Sequence, residues 1–99
     1  MAKKILIDLN FVGTNHLYVV DENNDIQPIR FGVIQDIKFT LDQLLQENDN
    51  IQDIYLTGQE NYAQGFQKEL LNDVVKKYSN RNVRIRINGK IFNQWCNYL

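Results

Sequence analysis

With 99 residues the chain can close one hydrophobic core but cannot form two lobes around a cleft. A net charge of −1, with 43% apolar and 23% charged residues, fits a soluble globular domain and excludes wholesale binding of a polyanion. No apolar run approaches the roughly 18 residues that span a bilayer, and the opening Met-Ala-Lys-Lys leads straight into a strand-like segment, so a cytoplasmic protein with no membrane partner is expected. The single cysteine, Cys96, leaves no intramolecular disulfide and fits a reducing compartment.

Lys3 to Phe11 reads as a buried strand, because Ile5, Leu6, Ile7 and Leu9 leave little room for a polar face. Asp8 interrupts that run. Burying an ionised carboxylate without partners costs several kcal/mol, so Asp8 is either a strand-end residue or part of a site. His-Leu-Tyr-Val-Val and Ile-Gln-Pro-Ile-Arg-Phe-Gly then flank the polar turn Asp21–Asp25 as a hairpin, and Pro28 predicts that its second arm is a sheet edge. The first three strands are expected to be antiparallel.

Ile37, Leu41, Leu44 and Leu45 give one helical face between Asp36 and about Asn48, starting either at Asp36 or at a Thr40–Gln43 capping box with a Phe39–Leu44 staple. Ile-Gln-Asp-Ile-Tyr-Leu-Thr-Gly predicts a fourth strand. Tyr62, Phe66, Leu70, Val74 and Tyr78 then recur every fourth residue, which predicts a second helix through Tyr78; its Gly65 suggests close approach to a strand. Asn82 to Asn88 alternates cleanly, with Val83, Ile85 and Ile87 inward and Arg84 and Arg86 outward, as a fifth and edge strand. Ile91, Phe92, Trp95, Cys96 and Leu99 lie on one face of a short final helix that caps the core. The expected fold is α/β, a single domain over 1–99 with a mixed five-stranded sheet in the order β-β-β-α-β-α-β-α.

Two stretches resemble the ribonuclease-H-like and actin-like superfamily, which uses this element order. Ile-Asp-Leu-Asn-Phe-Val-Gly-Thr is similar to the first phosphate-binding hairpin of actin-like proteins, with Asp8, Gly13 and Thr14 matching and Asn10 and Val12 departing. Ile54 to Leu70 resembles the second phosphate motif, with Thr57, Gly58, Gly65 and Phe66 at matching positions and Gln59 replacing a glycine. The resemblance implies a single actin-like lobe, with Asp8, Gly13, Thr14, Thr57 and Gly58 as phosphate-binding positions for Mg and ATP. Glycines at such turns let backbone N–H groups reach the anion, so Asn10 and Gln59 remove two points of approach. Nucleotide binding would then require a partner subunit, and no cofactor is expected for the chain alone.

A ribonuclease-H-like nuclease needs carboxylates converging on two metal ions. Asp8 would be the first and Glu60 a loose second; Asp21, Glu22 and Asp25 fit a solvated turn. His16 has no second histidine or cysteine to complete a metal set. Between Lys76 and Lys90 the chain places six of its 11 basic residues, Lys76, Lys77, Arg81, Arg84, Arg86 and Lys90, without an acid, while nine of its 12 acidic residues fall between Asp21 and Glu60. If folding keeps these groups apart, two oppositely charged faces result.

The expectation is therefore a small accessory protein without catalytic activity that acts through a protein partner and can dimerise along an edge strand. Its asparagine- and lysine-rich composition suggests a bacterial or phage source. Two alternatives stand beside it: a nucleotide- or metal-dependent phosphotransfer or nuclease-like domain completed by a partner subunit, and a nucleic-acid binder using Lys76 to Lys90.

Overall fold

The computed structural model describes residues 3–9, 14–58 and 60–87. Five strands and two α-helices form an α/β domain: β1 (Lys4–Leu9), β2 (Asn15–Val20), β3 (Ile26–Gly32), α1 (Ile34–Glu47), β4 (Asp53–Gly58), α2 (Glu60–Asp73), a 3-10 segment (Val75–Arg81) and β5 (Arg84–Ile87). The sheet order is β3-β2-β1-β4-β5. The first three strands pair antiparallel, and β1, β4 and β5 run parallel, so the sheet is mixed and both β3 and β5 are edges, as expected. The proposed final helix and the turn containing Gly13 lie outside the described residues.

The alternating side chains of β1 divide the interior in two. Ile5, Ile7 and Leu9 join Leu17, Ile54 and Leu56 beneath the helices, whose Ile37, Leu41, Leu45, Phe66 and Leu70 close the main core. Leu6 points the other way into a second cluster with Val20 and Tyr55, flanked by Tyr18 and Ile26. This accounts for the continuous apolar sequence of β1: both faces of the central strand are buried.

Three local expectations are corrected. Helix α1 starts at Ile34 behind an N-cap Val33 that makes no side-chain cap bond, so Thr40 lies inside the helix and Phe39, 65% exposed, staples nothing. Its apolar stripe begins a turn earlier than the capping pattern suggested, with Ile34 against the core. Helix α2 stops at Asp73, at the β-branched pair Val74–Val75, and continues as a 3-10 turn with non-helical backbone at Tyr78. Gly65 approaches no strand: a Cβ there would meet nothing within 4 Å, and the residue lines a cleft of about 190 Å³ with Ile34, Tyr62, Phe66 and Glu69.

Candidate functional site

The strand ends at the top of the sheet bring the first group of expected site residues together. Asp8 lies opposite His16 across the antiparallel ladder and beside Thr57 across the parallel one. Phe31 follows His16 on β3, with ring centroids 6.3 Å apart, and Tyr18 stacks on His16 at 6.2 Å. A row Phe31–His16–Asp8–Thr57 therefore crosses four strands on the face away from the helices. Thr57 is buried within it, whereas Thr14 is exposed.

Burial raises the proton affinity of Asp8 above the ordinary aspartate value of 3.8, and the nearby imidazole of His16 partly offsets that rise. One half-buried carboxylate with an imidazole opposite can exchange a proton or accept hydrogen bonds. Holding a catalytic metal pair takes more, and the described residues contain no group of three or more His, Cys, Asp or Glu side chains arranged for a metal ion. Glu60 is the first residue of α2.

Gly58 fulfils a strict steric requirement in the same region. Its φ is +120°, and a Cβ built on it would sit 2.0 Å from the Leu9 carbonyl oxygen. Only glycine lets β4 end this close to β1. The structure thus gives the matched glycine a packing role.

Folding brings three of the basic residues expected to form one patch against acids from the other half of the chain. Lys77 reaches Asp42 at 3.4 Å, Arg84 contacts Asp53 at 3.1 Å and Arg86 approaches the same carboxylate at 3.9 Å. Lys76 is exposed, and Lys90 lies outside the described residues. Arg81 turns inward: its guanidinium donates to the carbonyls of Leu45, Asn48 and Ile51 and stacks over the Tyr78 ring at 5.2 Å. Helix α1 has no basic residue in its last turn, so Arg81 supplies donors to carbonyls that the helix end leaves open.

Tyr78 strengthens this junction by donating to Asp42 Oδ1 at 2.7 Å; burial, and then that carboxylate, raise the phenol's proton affinity. Lys38, which the sequence pattern did not single out, bridges Asp73 at 2.9 Å and Glu69 at 3.8 Å. In the hairpin turn, Asp21 Oδ1 accepts from the backbone N–H groups of Asn23 and Asp25, which explains an acid there without any ligand.

The sequence alone did not place His16 opposite Asp8; that neighbour follows from the β1–β2 register. No protein-family model and no curated protein matches this chain. Among the described residues, no helix is long and apolar enough to cross a membrane.

Proposed function

We propose that this chain is a small protein-interaction module without catalytic activity, built on a reduced ribonuclease-H-like or actin-like lobe, and that it takes its protein partner along the β3 edge. The observation that carries this reading is the exposure of that edge. Phe31 is 72% exposed, Val33 just beyond it 65%, and Ile29 between them and Pro28 is also exposed. An edge strand offers unpaired backbone groups to an added strand, and exposed apolar side chains along it give the added strand something to bury. The opposite edge, β5, has four residues and carries Arg84 and Arg86 close to Asp53. The superfamily reading draws support from the element order and from the position of Asp8 near the end of the central strand, beside Thr57.

Affinity capture with the tagged full chain tests the proposal. A specific protein retained by the wild type, lost with Phe31→Lys and kept with Arg84→Glu plus Arg86→Glu, is the expected result. Equal capture by the Phe31→Lys variant would contradict it. Salt-sensitive retention on heparin or DNA, abolished by the double arginine variant, would replace it with nucleic-acid binding. Thermal stabilisation by Mg-ATP or Mn that disappears with Asp8→Asn would replace it with the phosphotransfer reading.

A further inference from the structure

Helix α2 contains a glycine that the fold does not call for. Glycine destabilises a helix interior relative to alanine, and Gly65 lies well inside the helix that runs from Glu60 to Asp73. Its φ is not positive, and a Cβ there would meet nothing within 4 Å. The missing side chain leaves a gap instead. Tyr62, Gly65, Phe66 and Glu69 share one face of α2 at three- and four-residue spacing, and with Ile34 of α1 they line a cleft of about 190 Å³. Phe66 is buried, Ile34 and Tyr62 pack on the edge of the core, and the Glu69 side chain is 56% exposed. Small-molecule sites run to about 300–1,000 Å³, so this cleft has room for one long side chain.

The charge beside it is negative. Glu69 and Asp73, one turn apart on α2, share the ammonium of Lys38, which stands 2.9 Å from Asp73 and 3.8 Å from Glu69. The three groups sum to −1, and Glu69 is the carboxylate held less closely. Its field reaches the cleft wall: after burial, the Glu69 carboxylate is the cause that raises the proton affinity of the Tyr62 phenol. A purely apolar occupant would strip water from Glu69 and leave the charge without a partner. A guanidinium pairs with the carboxylate while its methylene stem covers apolar surface, and it stacks on aromatic rings better than an ammonium does.

We propose that this cleft seats an arginine side chain of the protein partner taken at the β3 edge, with the guanidinium on Glu69, the stem against Ile34, Tyr62 and Phe66, and Gly65 as the bare wall that admits it. Ile34 lies two residues beyond Gly32, where β3 ends, and the exposed Val33 stands between them. The cleft therefore continues the apolar strip of Ile29, Phe31 and Val33. The source of the arginine rests on the reading of β3 as the partner edge; the chemistry of the cleft does not.

Titration of the full chain with acetyl-Gly-Arg-Gly-amide, followed in amide nitrogen–proton correlation spectra, tests the cleft apart from the edge. We expect saturable shifts at the Gly65, Phe66 and Glu69 amides, and binding about tenfold weaker when citrulline, the uncharged isostere, replaces arginine in the peptide. Glu69→Gln should weaken the arginine peptide about three- to tenfold. Gly65→Ala should raise the melting temperature by about 4–8 °C and yet weaken the peptide about fivefold or more, a gain in stability joined to a loss in binding that a merely structural glycine would not give.

Equal affinity for the citrulline peptide, shifts that do not saturate, or shifts centred on the acidic turn Asp21–Asp25 would overturn the proposal. A Gly65→Ala variant that binds the arginine peptide as the wild type does would also overturn it. In affinity capture, a partner lost with Phe31→Lys but fully retained with Glu69→Gln and Gly65→Ala would overturn the proposal and leave the edge reading standing. Saturable arginine binding in the cleft, with capture indifferent to Phe31→Lys, would support the cleft and overturn the edge as the source of the arginine.

Discussion

The two faces of the sheet solve the same burial problem by different means. On one, α1 and α2 cover Ile5, Ile7, Leu17, Ile54 and Leu56 with a continuous set of aliphatic and aromatic side chains. On the other, Leu6, Val20 and Tyr55 form a small cluster within a rim of polar and ionisable groups: Asp8, His16 and Thr57 at one end, Arg84, Arg86 and Asp53 toward β5. The helical face shows what holds the fold together. The second face contains the groups with chemistry to offer, and its nearly complete exclusion of solvent at Leu6 makes it a second core.

Changes at the boundary between the faces should have the largest effect. Gly58→Ala puts a methyl group against the Leu9 carbonyl at a backbone angle that side chains avoid, and we expect a loss of roughly 4 kcal/mol or more in chemical denaturation. A loss under about 1 kcal/mol would mean that β4 can withdraw from β1.

The comparison itself is sharpened by truncating one core residue on each side. Leu41→Ala on the helical face should cost about 2–5 kcal/mol. Leu6→Ala should fall in the same range if the second face is a core. A cost below about 1 kcal/mol at Leu6 would mark that face as open surface.

Arg81→Met removes the donors that Arg81 lends to Leu45, Asn48 and Ile51 while keeping its aliphatic bulk, and about 1.5–3 kcal/mol should be lost. Lys76→Met, at an exposed position in the same 3-10 segment, should change stability by less than about 0.5 kcal/mol.

Asp8 should give a small effect, and one with a defined sign. Its native proton affinity is raised, so between the ordinary value of 3.8 and the raised native value the folded state binds more protons than the unfolded state. Stability attributable to Asp8 therefore falls as pH rises through that window, and the cost is absent well below it. Asp8→Asn should raise the melting temperature at pH 7 relative to wild type and lose that advantage near pH 3. Equal differences at both pH values would show that Asp8 is not desolvated.

Much of this architecture was readable in the sequence. The apolar run through β1, the alternation from Val83 to Ile87 and the proline in β3 each place a strand by a local rule, and those strands occur with the expected mixed pairing. The fate of the charges was hidden, because it depends on distant contacts. Lys77 and Asp42 are 35 residues apart, Arg84 and Asp53 are 31 apart, and Arg81 reaches carbonyls 30 to 36 residues away. A segregated charge pattern along the chain thus became a set of ion pairs and helix-end contacts.

The helix boundaries were obscured for a related reason. Thr40 with Gln43 satisfies a capping pattern, but burial of Ile34 carries α1 past it, and Tyr78 keeps the helical spacing while its hydrogen bond to Asp42 is reached from a 3-10 turn. At the site, Asp8, Thr57 and Gly58 were identifiable from the sequence. Their neighbours His16 and Phe31 became evident only from the register across β2 and β3.

The central claim, that the sheet face away from the helices is a second core, is tested most directly by a double-mutant cycle between Leu6→Ala and Tyr55→Ala in the full-length protein. Direct packing predicts non-additive losses, with an interaction energy of about 0.5–3 kcal/mol. Losses that add to within about 0.3 kcal/mol would show that Leu6 and Tyr55 do not pack as one core, and would contradict the account.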